Sequence, residues 1–255
     1  MQNVDLKIPV SWAEITPDQL RYLAKLFLLY STQVKAKFLA YALIRFSGLK
    51  VIGKKGSGYL VRGRDSKKFT LTSRQVMNAM KRLDWLLSTV EEIRPLPRIM
   101  WTLCCHRRMY NTPFIQFLTA ENFFMAYEQT RDMKYLRYLA ATIYRNPGQR
   151  FNEKKVKRRS WKYSFVKDST LFTIFLWYGG FRWYVAKECP HVFGRGGSSG
   201  GMKVKEHIMA MIRGLTEGDV TKAREVEKVD TWDALYELDA KAKHSEELQR
   251  KIKKR

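Results

Sequence analysis

Cysteine is scarce in this 255-residue chain. Cys104, Cys105 and Cys189 are too few for a disulfide framework, and the adjacent Cys104 and Cys105 are badly placed to pair with each other. Acid is short as well, with 24 Asp and Glu against 48 Lys and Arg and a formal charge of +24. Long apolar runs are missing: the longest spans Leu171 to Phe181 before Arg182 interrupts it, whereas a membrane span needs about 20 residues. Met1 to Lys7 holds no charged segment followed by an apolar stretch, so no secretory signal is expected. These shortages exclude a secreted disulfide module and a transmembrane protein. A reduced, cytoplasmic setting is the expectation, and 45% hydrophobic with 13% aromatic residues is enough for a folded core.

Catalytic and ligand-binding signatures are equally thin. Gly196 to Gly201 has the glycine spacing of a phosphate loop, but Met202 stands where the lysine is needed and no Ser or Thr follows it. A flexible linker over Gly194 to Gly201 is the better reading. Cys104-Cys105-His106 and Cys189-Pro190-His191 lack the gap that lets two ligands of one loop reach one tetrahedral zinc ion. His207 and His244 read as packed or surface residues, no Gly-x-Ser-x-Gly is present, and the first 200 residues are too poor in acid for a two-metal site. No catalytic residue, metal or cofactor is assigned, and an enzyme is not expected.

Helix punctuation organises the rest. Thr16-Pro17-Asp18-Gln19 and Thr72-Ser73-Arg74-Gln75 are capping boxes. The first opens a helix through Leu20, Leu23, Ala24 and Phe27. A second helix, restarting at Ser31 or Thr32, runs to Gly48 and completes a hairpin. Short β-type runs at Leu49–Ile52, Tyr59–Arg62 and Phe69–Leu71, separated by glycine-rich turns, predict a small ribbon. The second capping box predicts a helix to Ser88, on Val76, Met77, Met80, Leu83 and Leu87.

Pro95 and Pro97 mark a joint near residues 89–98, and Trp101 to Pro113 has no assignable period. Thr119 and Asp132 are expected to cap two further helices, and an aromatic helix spans about Ser169 to Cys189 until Pro190 ends it. The last helix starts at Asp230 and buries Trp232, Leu235 and Leu238. The expected fold is mainly α with a β ribbon near residues 49–71. Its parts are 1–88, a helical core over 99–193, a linker over 194–202 and a loosely tethered helical segment over 203–255.

The excess charge is concentrated. Residues 50–68 hold Lys50, Lys54, Lys55, Arg62, Arg64, Lys67 and Lys68 against Asp65 alone. Residues 150–162 hold Arg150, Lys154, Lys155, Lys157, Arg158, Arg159 and Lys162 against Glu153 alone, whereas 203–239 has six bases and nine acids. Basic clusters of this kind neutralise phosphates, and Trp161 and Tyr163 interleaved with them are placed to stack on unpaired bases. The same runs read as solvated faces with Trp161 in the core, or as a dock for an acidic protein. Arg74, Gln75, Asn78, Lys81 and Arg82 give the helix after the ribbon either a recognition face or an ordinary polar one.

Several segments together resemble a family of phage and prophage proteins encoded among virion tail genes. They are Ile8-Pro9-Val10-Ser11-Trp12-Ala13-Glu14-Ile15-Thr16-Pro17-Asp18-Gln19-Leu20, then Phe117-Leu118-Thr119-Ala120-Glu121-Asn122-Phe123, then Leu136 to Arg145. Trp177-Tyr178-Gly179-Gly180 with Pro190-His191-Val192-Phe193 completes the pattern, followed by a closing helical segment. The resemblance implies a non-enzymatic role in virion assembly through protein–protein contacts, with phage structural or assembly proteins as partners and a location in the bacterial host cytoplasm or the virion. The alternative is a nucleic-acid-binding protein using the ribbon and the 150–162 cluster.

Overall fold

The computed structural model describes residues 6–30, 34–63, 66–193 and 204–253. It is mainly α-helical with two small antiparallel sheets, and the chain divides into two compact units, Met1–Ile93 and Arg94–Arg255. Among the described residues no helix is long and apolar enough to cross a membrane.

In the first unit, Trp12 is buried with its ring edge-on to Trp85 at 5.3 Å. Helix α1 (Pro17–Leu29) begins in the expected capping box: the Thr16 amide donates to Gln19 Oε1 at 2.9 Å and the Gln19 amide to Thr16 Oγ1 at 3.3 Å. Helix α2 (Lys35–Ser47) packs Phe38, Ala42, Leu43 and Phe46 into the same core and ends at Gly48, whose φ of +70° is the left-handed conformation that glycine adopts without strain. Ser31 and Thr32, the expected restart, lie outside the described residues.

The ribbon is a three-stranded meander of β1 (Lys50–Lys55), β2 (Gly58–Arg62) and β3 (Lys68–Thr72). Gly58 is required there, because a Cβ would collide with the Leu71 carbonyl. Thr72 and Gln75 cap α3 (Ser73–Lys81) as expected, but the α-helix stops at Lys81. A 3₁₀ turn over Asp84–Leu87 follows and sends Leu83 and Leu86 inward, while Met77 and Leu87 are exposed.

In the second unit, β4 (Arg98–Ile99) and β5 (Thr102–Cys104) form a hairpin within the stretch that had no readable period. Helix α4 (Phe114–Thr130) begins at Phe114 and not at Thr119, whose hydroxyl donates back to Ile115 O at 2.6 Å from inside the helix. The reason is tertiary: the Phe114 and Ile115 amides donate to Val229 O and Glu227 O, partners over a hundred residues away.

Helix α5 (Met133–Ile143), capped by Asp132 as expected, runs into β6 (Tyr144–Arg145), which pairs with β5. A 3₁₀ turn at Glu153–Lys155, the short α6 (Val156–Arg159) and a second 3₁₀ turn at Ser160–Phe165 carry the basic stretch. Helix α7 (Asp168–Glu188) is buried on several sides and packs on α5.

Helix α7 stops just before Pro190, as expected, and Pro190 opens the separate short α8 (Pro190–Phe193), followed by α9 (Val204–Thr216), α10 (Ala223–Val226) and α11 (Thr231–Lys253). The segment expected to be loosely tethered is built into this unit. Trp232 Nε1 donates to Arg108 O at 2.6 Å, Thr231 Oγ1 to Thr112 O at 2.8 Å, and Asp239 accepts the His191 and Val192 amides. The expected glycine linker lies outside the described residues.

Candidate nucleic-acid interface

The most basic stretch of the chain is anchored by its apolar minority. Between Glu153 and Phe165 the residues that turn inward are Val156, Ser160 and Tyr163. Tyr163 is fully buried, with its hydroxyl donating to Tyr144 O at 3.1 Å and lying 3.1 Å from Thr102 Oγ1. Burial pushes the Tyr163 phenol up to about 12. The expected role of Tyr163 as a stacking surface is therefore corrected: it pins the segment to β5 and β6.

With Val156 and Tyr163 inside, the rest faces solvent. Lys154, Lys155, Lys157 and Arg158 are exposed, as is Arg150, and none of the five forms an ion pair among the described residues. Trp161 is 65% exposed and Phe165 75%, with their rings edge-on at 5.9 Å. Leaving two large aromatic side chains in water forfeits roughly 1.5–3 kcal/mol of burial each, and they stand together among unpaired cations. Trp161 is thus a surface residue and not core. Phe165 was missed in the sequence; the 3₁₀ turn over Ser160–Phe165 brings its ring to that of Trp161.

Two of the expected residues are set back from this strip. Arg159 is half-buried, with one guanidinium nitrogen donating to Asn152 O at 3.4 Å and Nε and Nη1 buried without a partner. Arg145 donates to Gln149 O, three residues before Asn152, so both arginines converge on one loop. Lys162 Nζ lies 5.3 Å from the Tyr163 ring centre. Desolvation, then the neighbouring like charge, holds Arg159 and Lys162 below their ordinary pKa values. No carboxylate pairs with Arg145, Arg159 or Lys162 among the described residues.

The ribbon in the first unit makes a separate cationic surface. Register sets Lys50 opposite Arg62 and Arg62 opposite Lys68, so one row of cations crosses all three strands on one face. Like charges directly opposite one another are destabilising, and Lys50, Arg62 and Lys68 are exposed with no ion pair among the described residues. Lys55 shares that face at the turn end, whereas Lys54 pairs with Tyr59 on the other. Lys67 is exposed in the β2–β3 turn, and Arg64 lies outside the described residues. On α3 the reading of Gln75 as a base contact is corrected, because its side chain is held by Thr72 in the capping box.

Elsewhere the polar chemistry is enclosed. In the second unit Glu121 is fully buried, with Arg182 Nε 3.0 Å from Oε1 and the Tyr178 hydroxyl donating to Oε2 at 3.2 Å. Arg182 also stacks over Phe124 at 4.9 Å, which ties α4 to α7. The Cys104 thiol is held well above its ordinary value by its hydrogen bond with Cys105 and by burial. Among the described residues no three His, Cys, Asp or Glu side chains cluster to hold a metal ion. No family model matches the chain, and no curated protein and no solved structure matches it.

Proposed function

We propose that this chain is a non-enzymatic nucleic-acid-binding protein whose main contact surface is the 150–165 strip of the second unit. The observation that supports the reading is the exposed Trp161–Phe165 pair set among Lys154, Lys157 and Arg158. Cations neutralise phosphates and release counterions, while aromatic faces stack on bases of any sequence. Aromatic side chains also anchor protein interfaces, so an acidic protein is the competing partner, and oligonucleotide binding decides between the two. The Lys50–Arg62–Lys68 row is a second phosphate-binding surface, on the first unit.

The resemblance to phage tail-module proteins gives this activity a setting, since a virion-assembly protein that contacts packaged nucleic acid tolerates a charge of +24. The test is an anisotropy titration of a labelled oligonucleotide at low salt. Trp161→Ala with Phe165→Ala is expected to weaken binding at least tenfold, since stacking contributes about 1–3 kcal/mol per base. Unchanged affinity in that variant would remove the reading.

A further inference from the structure

Beside the exposed strip lies a groove of 620 Å³ between α4, α5 and the beginning of the basic segment. Its wall is aromatic: the Tyr135 and Tyr138 rings meet edge-on at 6.1 Å, and Phe123 lies 5.1 Å from Tyr138. Both tyrosines are half-buried and line the groove, and Lys134 Nζ lies 5.0 Å from the centre of the Tyr135 ring. Its rim is cationic, with Lys154 and Lys157 unpaired and Lys134 held by Asp132 at 2.9 Å. Asn122 opens onto it from α4, and its side-chain amide makes no hydrogen bond among the described residues.

Each part of this lining answers to one part of a nucleotide. Tyrosine rings offer a stacking face for a base, a free carboxamide offers a donor and an acceptor to a base edge, and lysines take the phosphates. Glu153 also lines the groove, where its carboxylate accepts from an exocyclic amino group and repels a further phosphate. The volume falls within the range of small-ligand sites, about 300–1,000 Å³.

Lys157 belongs both to the groove and to the exposed basic segment that carries Trp161 four residues on. We infer that the groove takes one unpaired nucleotide of a single strand whose neighbours run along Lys157, Trp161 and Phe165. A paired, stacked base cannot enter it, so the ligand class is single-stranded nucleic acid and not duplex. This inference rests on the nucleic-acid reading above.

The experiment compares a fluorescein-labelled single strand of about 20 nucleotides with the same strand in duplex, bound to the full chain. The wild type is expected to prefer the single strand. Asn122→Ala and Tyr135→Leu are each expected to weaken that binding about fivefold or more, leaving the duplex affinity as it was. Equal losses on both ligands, or no loss on the single strand, would overturn the groove assignment while the broader reading stands. Retention of neither ligand by the wild type would overturn both. Photocrosslinking of the wild-type chain to a strand carrying 4-thiothymidine gives a readout independent of variant folding. Crosslinks on Asn122, Tyr135 or Tyr138 are expected, and crosslinks confined to 161–165 contradict the inference.

Discussion

Two aromatic residues two positions apart, Trp161 and Tyr163, have opposite fates, and the difference separates binding from stability. Tyr163→Phe removes a hydroxyl that serves both Thr102 Oγ1 and Tyr144 O in a buried site, and a loss of about 1–3 kcal/mol is expected in urea denaturation. Trp161→Ala removes an exposed ring, so stability should change by no more than about 0.5 kcal/mol while nucleic-acid affinity falls. A variant pair behaving the other way round would place Trp161 in the core.

Asp132 supplies a pH-dependent test. The Lys134 side chain, then the Lys134 amide, holds its carboxyl below the ordinary value. A depressed carboxyl stabilises the fold when ionised, so the contribution is fully present above its unfolded value of about 3.9 and fades as pH falls through the folded one. Asp132→Asn keeps a capping oxygen but does not titrate. The stability gap between wild type and this variant should therefore shrink from pH 6 towards pH 2, and a gap that stays constant would contradict the ion-paired cap.

At the scale of elements, punctuation written into adjacent residues was legible and punctuation supplied from afar was not. Both capping boxes form because Thr and Gln three residues apart satisfy each other's backbone locally. The start of α4 escaped the sequence because Val229 and Glu227 carbonyls receive its first amides. The β4–β5–β6 sheet escaped because its strands have two or three residues each, too short to show a period of two.

The ribbon reads clearly in its turns, yet only register brings Lys50, Arg62 and Lys68 into one row. Reversing the central charge, Arg62→Glu, should stabilise the ribbon by about 0.2–1 kcal/mol per opposed pair. The same change should lower nucleic-acid affinity. A destabilised variant would contradict the repulsion within the row, and one that binds as before would contradict its contact with the ligand.

Across the whole molecule, the charge of +24 is unevenly laid out over two units. Composition located the clusters because charge is additive along the chain. It could not say which residues face outward, because that depends on Val156, Ser160 and Tyr163 turning in and on a helix that breaks into 3₁₀ turns. Nor could it find the groove, whose tyrosines and asparagine come from α5 and α4. Arg159 and Lys162, read in the sequence as surface cations, are partly withdrawn.

The salt dependence of oligonucleotide binding tests the central claim most directly. For a single strand the logarithm of the binding constant should fall linearly with the logarithm of salt concentration, with a slope of about −0.7 per phosphate neutralised. Replacing Lys154, Lys157 and Arg158 together by Gln should make that slope shallower by about 2, whereas Trp161→Ala should lower affinity and leave the slope unchanged. A wild-type chain that fails to bind at low salt, or a triple variant whose slope matches the wild type, would contradict the assignment of this strip as the nucleic-acid surface.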